Sequence, residues 1–203
     1  MSVASPPLPG VFQPPPYPVY RLTVDQYHRM IEVGVLTDRD RVELLEGCIV
    51  PKMAHNPPHD TATALGNASL SANLPSSWYV RVQFAITLGD SEPEPDLAVT
   101  RGSIRDYATR HPGPRDLAML AEVADASLYR DRNDKTGIYA RAGIPIYWII
   151  NLQDRQVEVY TDPTGPAPTP AYRQRQDYGA HDSVPLVIGG QTVAMLPVAD
   201  LLP

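Results

Sequence analysis

An α/β domain built around a mixed central sheet is the fold class the sequence predicts. Three observations lead there. Short β-rich apolar runs recur along the chain, with three stretches of helical character set among them. Their order reads αββαβββαββ, neither strands alone nor helices alone. The chain has 203 residues, 43% of them hydrophobic, enough for one sizeable core and short for two.

The elements follow in chain order. Residues 1–18 hold seven prolines, which remove backbone donors and fix φ, so this stretch reads as an extended, disordered arm. Residues 19–203 read as one domain. Thr23-Val-Asp-Gln26 has the pattern of a capping box, and Val24, Tyr27 and Ile31 recur at helical spacing up to about Glu32, with Gly34 as the stop. Val42–Leu45 and Cys48–Val50 flank Glu46-Gly47, a tight-hairpin signal. Pro57-Pro58 marks a helix start, and Asp60–Leu74 predicts a helix with Leu65, Ala68 and Ala72 as its inner stripe. Trp78–Leu88 and Asp96–Thr100 predict strands, and the apolar run Leu117–Val123 suits a buried one. Asp131–Ala142 predicts a helix closed by Gly143. Ile144–Ile150 and Gln156–Tyr160 are the next strands. A proline cluster, Pro163 to Pro170, is a surface excursion. One or two short strands near Tyr172–Asp177 and Thr192–Met195 and a turn of helix at Val198–Leu202 complete the chain.

Composition excludes several classes. Cys48 is the single cysteine, so neither an intramolecular disulfide nor a multi-thiolate zinc site is possible. No apolar run approaches the ~18 residues of a membrane helix. The opening MSVASPPLPG lacks the basic start and apolar middle of a signal peptide, so a cytoplasmic protein with no membrane association is expected. The net charge of −6 argues against non-specific coating of nucleic acid. Between Arg101 and Arg141, however, eight Lys/Arg stand against six Asp/Glu. That excess reads either as a mixed solvated surface or as a phosphate-facing strip. There is no G-x-G-x-x-G, P-loop, H-E-x-x-H or G-x-S-x-G motif.

The chemistry-bearing candidates are acids in apolar surroundings. Glu122 lies in LAMLAEVAD between Ala121 and Val123, and Asp96 opens a strand after Pro95. A carboxylate in a buried strand is costly unless something pairs with it. A hard divalent cation, or an arginine with backbone amides, would serve. Two such carboxylates on neighbouring strands, with a main-chain carbonyl, make half an octahedral site for Mg²⁺. Lys135 follows on the next helix, placed either to stabilise charge at a metal-bound phosphate or to pair with Asp131 at i−4. Glu43, in VELLEG, and His59, at the start of a long helix, are a further pair able to complete a metal or water-activating shell, or to be ordinary surface and helix-terminus residues.

The strings VELLEGCIVPKM, SEPEPDLAVTRG and AEVADASLYRDRNDKTGIYARAGIPIYWIIN, with His59 between the first two, resemble the Uma-type putative restriction endonuclease family of the PD-(D/E)XK nuclease superfamily. The resemblance runs from about residue 20 to 202. It implies a restriction-endonuclease-like fold and Mg²⁺-dependent hydrolysis of DNA phosphodiester bonds, with Mn²⁺ able to substitute. Pro95-Asp96 matches the family's PD and Glu122 its second acid. The superfamily's usual lysine position is Ala124 here. In this family the lysine has moved to the following helix, where Lys135 stands. Glu43 and His59 match the hairpin acid and the helix-start histidine. The resemblance thus implies Asp96, Glu122, Lys135, Glu43 and His59 as catalytic residues. Asp96, Glu122 and Val123 would hold the metal, and Arg130 and Arg132 would face substrate phosphate. Ala126 and Ile146 stand where the family often has Ser or Thr, and Glu. Cutting a duplex with one site per chain also suggests a homodimer. A nuclease-fold module that binds without turnover, and a metal phosphoesterase on a non-nucleic substrate, stay open as alternatives.

Overall fold

The computed structural model describes residues 18–203; the arm, apart from Pro18, lies outside the described residues. Helix α1 (Val24–Glu32) begins with the expected capping box, the Thr23 hydroxyl accepting from Gln26 N and the Gln26 amide oxygen accepting from Thr23 N. Strands β1 (Val42–Leu45) and β2 (Cys48–Pro51) form the expected hairpin. Its turn places both Glu46 and Gly47 at positive φ, 48° and 73°. A Cβ on Gly47 would also lie 2.8 Å from the Leu22 carbonyl, so this turn demands glycine twice over.

Helix α2 (Pro57–Asn73) is capped by Asn56, whose side chain accepts from His59 N, with proline in its first turn. Its buried residues are His59, Ala62, Thr63, Gly66 and Leu70, so the inner stripe is rotated from the one the sequence suggests. Ala68 and Ala72 are exposed. Small residues decide this: a Cβ at Gly66 would meet Leu97 Cδ1 at 2.7 Å, so the glycine lets the helix lie close on the sheet.

The central sheet has six strands, β3 (Trp78–Val82), β4 (Leu97–Arg101), β5 (Leu117–Ala124), β6 (Ile146–Asn151), β7 (Gln156–Pro163) and β8 (Tyr172–Gly179), in that spatial order. Only β5 and β6 pair in parallel; the other neighbours are antiparallel. The parallel pair requires a crossover. It is supplied by α3 (Leu128–Arg130), a π-turn over Asp131–Lys135 and α4 (Thr136–Arg141). The helix expected from Asp131 thus starts earlier and carries a widened turn. Strand β5 is buried at every position, as its apolar run suggests. Alternation sends Ala121 and Val123 into a core shared with Ala62 and Leu70 of α2 and Leu196. Leu120 and Ala124 enter a second core with Ile138 and Tyr139 of α4. Glu122 belongs to this second face.

Two strand expectations change. The strand from Trp78 stops at Val82: the Gln83 N–H still bonds the Asp96 carbonyl in the β3–β4 register, but Gln83 turns to φ 54° and the chain leaves the sheet there. Strand β9 (Ser183–Ile188) was not expected; Pro185 masks it in the sequence. It pairs with β10 (Gln191–Pro197) as a separate hairpin.

Candidate active site

A cleft of about 600 Å³ opens among the β1–β2 hairpin, the start of α2, the loop after β3 and the crossover. Glu43, His59, Asp96, Glu122, Val123, Arg130 and Lys135 all line it.

Sheet register brings the two central acids together. Leu97 pairs with Ala121, which sets Asp96 opposite Glu122 on the adjacent antiparallel strand. The Asp96 N–H lies 3.4 Å from Glu122 Oε2. Asp96 Oδ2 accepts from Val123 N at 2.8 Å and faces His59 Nε2 at 3.1 Å, and Oδ1 accepts from the Gln83 amide at 3.1 Å. Burial alone would raise the Asp96 pKa; the His59 bond and charge, the Val123 amide and Lys135 outweigh it and hold it below the usual value. Burial likewise disfavours the His59 cation, and Asp96 overcomes this to hold its pKa above the usual value.

Glu122 is less well served. Its Oε1 accepts from Lys135 Nζ at 2.8 Å and from the Tyr139 hydroxyl at 2.6 Å. Burial pushes its pKa up to about 8; Lys135 opposes this, while Asp96 and Asp131 add to it. Burial would lower the Lys135 pKa, but Glu122, Glu43 and Asp131 hold it above the ordinary lysine value, so the ammonium persists. The π-turn delivers this lysine from the crossover to the strand. Its Nζ stands 2.8 Å from Glu122 and 3.9 Å from Asp131 Oδ1, so the i−4 partner expected from the sequence is beside it, but the shorter contact is to the strand acid. Lys135 is buried, not the surface-like position that a helix lysine suggests.

The remaining expected residues divide. Glu43 is buried, accepts weakly from Glu94 N at 3.3 Å, and lies 3.5 Å from Arg130 Nη2. Arg130 therefore stands at the cleft. Arg132 does not line it, and its expected place among phosphate-facing residues is corrected. Its Nε lies 3.1 Å from both Glu158 oxygens, and Nη2 also reaches Asp154. The buried Glu158 carboxylate on β7 holds this guanidinium, because an uncompensated charge there would be costly.

Three residues at the site went unnoticed as site residues in the sequence. Gln83 bonds Asp96 and lies 3.2 Å from His55 Nδ1, from a positive-φ backbone that no local pattern announces. Tyr139 stands four residues after Lys135, a spacing that puts both on one helix face and was a readable signal. Asp131 is buried with Oδ2 unpartnered among the described residues. Burial raises its pKa and Lys135 opposes the rise.

The donor set fits a hard divalent cation. Asp96 Oδ1 and Glu122 Oε2 are the less-used oxygens of their carboxylates, accepting one bond each against two at the other oxygen. The unpartnered Asp131 oxygen adds a third acid in need of positive charge.

Fold and sequence comparisons point the same way. A solved structure, a putative nuclease belonging to DUF820 from Anabaena variabilis ATCC 29413, matches with a TM-score of 0.64 at 15% identity, over 89% of this chain and 97% of that one. At that identity the likeness is one of fold, and it makes the mixed sheet a nuclease-like α/β architecture. No curated protein matches the chain significantly. The family model described as Uma2, putative restriction endonuclease, matches residues 24–197, from the first residue of α1 to the last of β10. By that match the chain belongs to the Uma2 putative restriction endonuclease family.

Proposed function

We propose that this chain hydrolyses DNA phosphodiester bonds with Mg²⁺, using Asp96, Glu122 and Lys135 as its central residues. The observation that carries the reading is the buried convergence of these three groups in one open cleft, with Lys135 Nζ 2.8 Å from Glu122. The cleft is lined by eight carboxylates and four Lys/Arg, so a phosphate diester entering it without a cation meets net repulsion. Asp96, Glu122 and the Val123 carbonyl would hold the ion, with Mn²⁺ as a substitute, and the ion would supply a water of lowered pKa and shield the phosphate. His59 and Gln83 fix the Asp96 carboxylate through its two oxygens. Tyr139, whose pKa burial raises well above 10, stays protonated and donates to Glu122. Lys135 remains an ammonium and offers its free protons to charge developing on the phosphoryl oxygens. Arg130, held against Glu43, faces the backbone of the substrate. With one centre per chain, cutting both strands is assigned to a homodimer. Sedimentation that shows only monomer at micromolar concentration would count against that assembly.

Supercoiled plasmid incubated with Mg²⁺ or Mn²⁺ tests the reading, beside EDTA and a Glu122→Gln protein purified in parallel. Metal-dependent nicking that the variant loses supports it. Equal cutting by the variant sinks it. The acid-lined cleft also favours a second reading, a nuclease fold that binds without turnover. DNA retained on the protein with no cleavage in either metal would select it, and hydrolysis confined to small phosphodiesters would indicate a phosphoesterase.

A further inference from the structure

We infer a second metal site, for a borderline transition ion of the Zn²⁺ class, formed by His55, His59 and Asp60 at the mouth of the cleft. It goes beyond the nuclease reading and does not depend on it. Among the described residues, these side chains form a group of three whose candidate ligand atoms all lie within 4.8 Å of one another. Asp60 Oδ1 is 3.7 Å from His55 Nδ1 and 3.7 Å from His59 Nδ1. Ligand atoms around a tetrahedral ion with bonds of ~2.1 Å lie about 3.4 Å apart; both Asp60 distances are within a few tenths of an ångström of that, and the exposed His55 ring must turn out of its stack on His59 to complete the set.

His59 supplies the independent sign of a ligand. The residue is only 8% exposed, and its Nδ1 is buried with no hydrogen-bond partner among the described residues. Its Nε2 faces Asp96 Oδ2 at 3.1 Å. An ionised carboxylate only accepts, so in the neutral ring Nε2 carries the proton and Nδ1 the lone pair that an ion would take in place of a proton. A carboxylate that orients an imidazole by one nitrogen and leaves the other free is the arrangement metal-ligating histidines use. Buried polar atoms seldom go unpaired, and this one points where His55 and Asp60 stand. The His55 ring stacks on His59 with centroids 4.2 Å apart, and Gln83 Nε2 lies 3.2 Å from its Nδ1. His55 lies outside α2 and, like Asp60, is exposed, so both can turn onto an ion that His59 presents from a fixed position. Two nitrogens and one oxygen suit a borderline ion, whereas the all-oxygen set of Asp96 and Glu122 suits a hard one. The two sites therefore differ in the ion they select and meet at Asp96.

Equilibrium dialysis of the full chain against Zn²⁺, with Co²⁺ absorption as the spectroscopic readout, tests the assignment. One Zn²⁺ per chain is expected, kept by Glu122→Gln and weakened at least 10-fold by His55→Ala and by Asp60→Ala, on the scale of lost coordination support. The Co²⁺ spectrum should change in the same two variants. Circular dichroism checks that these exposed substitutions leave the fold intact. Zn²⁺ affinity unchanged in either variant overturns the site. So does loss of the ion in Glu122→Gln, which would place it on the carboxylates, and so does absence of stoichiometric Zn²⁺ in the wild-type chain.

Discussion

Glu122 on β5 and Glu158 on β7 lie on one rung of the sheet, since Ile149 pairs with both. Their side chains leave the same face, and both are buried, at 3% and 0% exposure. One crossover segment serves both: Arg132 goes to Glu158, and Lys135, three residues on, goes to Glu122. The outcomes are opposite. Glu158 receives Arg132, Arg175 at 3.3 Å, Asn151 at 2.9 Å and the Tyr160 hydroxyl at 2.8 Å. Burial would raise its pKa, but these partners outweigh burial and hold it below the usual value. Glu122 receives one ammonium, one hydroxyl and one long bond from the Asp96 N–H, has two further acids beside it, and is pushed up to about 8. Both carboxylates are closed off from solvent, but Glu122 lies deeper in the protein, and the sign and number of partners differ. A carboxylate with two arginines is complete and holds the fold together. A carboxylate left short of positive charge can accept a cation.

The comparison breaks first at the acids themselves. Glu122→Gln should lower metal-dependent DNA hydrolysis by about 10³-fold or more, as expected when an ionic transition-state element is lost. Glu158→Gln should leave the activity of folded protein within about 3-fold and lower its stability instead. If Glu158→Gln removed activity as completely at full folding, the division of labour along the rung would be wrong.

The cations come next. Lys135→Ala should reduce turnover on the order of 10²-fold. Its stability cost should be about 1–2 kcal/mol, because Glu122 can take a proton when its partner leaves. Arg132→Ala should cost about 2–4 kcal/mol in a denaturant titration, since Glu158 is fully buried and its charge is then only partly paired. A more stable Arg132→Ala than Lys135→Ala would reverse the assignment.

Much of this was legible in the sequence, and the failures have physical reasons. Asp96 and Glu122 stood out because acids inside apolar strands need partners, and the cleft holds both. Lys135 came from the family resemblance; its residue type alone allowed a solvated helix pair. Arg132 was misplaced because its partner is 26 residues away on β7, and only sheet pairing puts that acid beneath the crossover. Gln83 was invisible because its role depends on one left-handed backbone angle. The rotation of α2 was missed because Gly66 reads as a weak helix residue, while its close approach to Leu97 selects it. Patterns along the chain identified the elements, and distant partners settled the charges.

The pH dependence of stability separates the two acids without an activity assay. In the metal-free protein Glu122 titrates near 8 rather than near 4.5, so between those values the folded state holds a proton the unfolded chain has lost. Stability from this group therefore falls as pH rises through that window, by on the order of 1 kcal/mol per pH unit at most. Glu158 behaves oppositely: its contribution is present above 4.5 and is lost as pH falls through its lowered folded value. Thermal midpoints should show wild type losing ground to Glu122→Gln from pH 5 to 8, and to Glu158→Gln only below about 4.5. Parallel curves for the two variants would remove the distinction.

The smallest effect lies in the two hydroxyls that mirror each other across the rung. Tyr139 donates to Glu122 at 2.6 Å and Tyr160 to Glu158 at 2.8 Å. Removing either hydroxyl with phenylalanine keeps the ring and its packing, so the change isolates one hydrogen bond to an acid. At Glu158 the two arginines and Asn151 remain, and Tyr160→Phe should cost about 0.5–1 kcal/mol with hydrolysis unchanged. At Glu122 only Lys135 remains on Oε1, so the carboxylate loses half of its donors there. Its proton affinity should rise further, and the ion must then compete with a proton more often. Tyr139→Phe should accordingly lower hydrolysis by about 3- to 10-fold near neutral pH, with much of the loss recovered at higher pH. A pH-independent loss would mean that Tyr139 acts by shaping the cleft, and equal effects from the two tyrosines would show that both acids are equally complete.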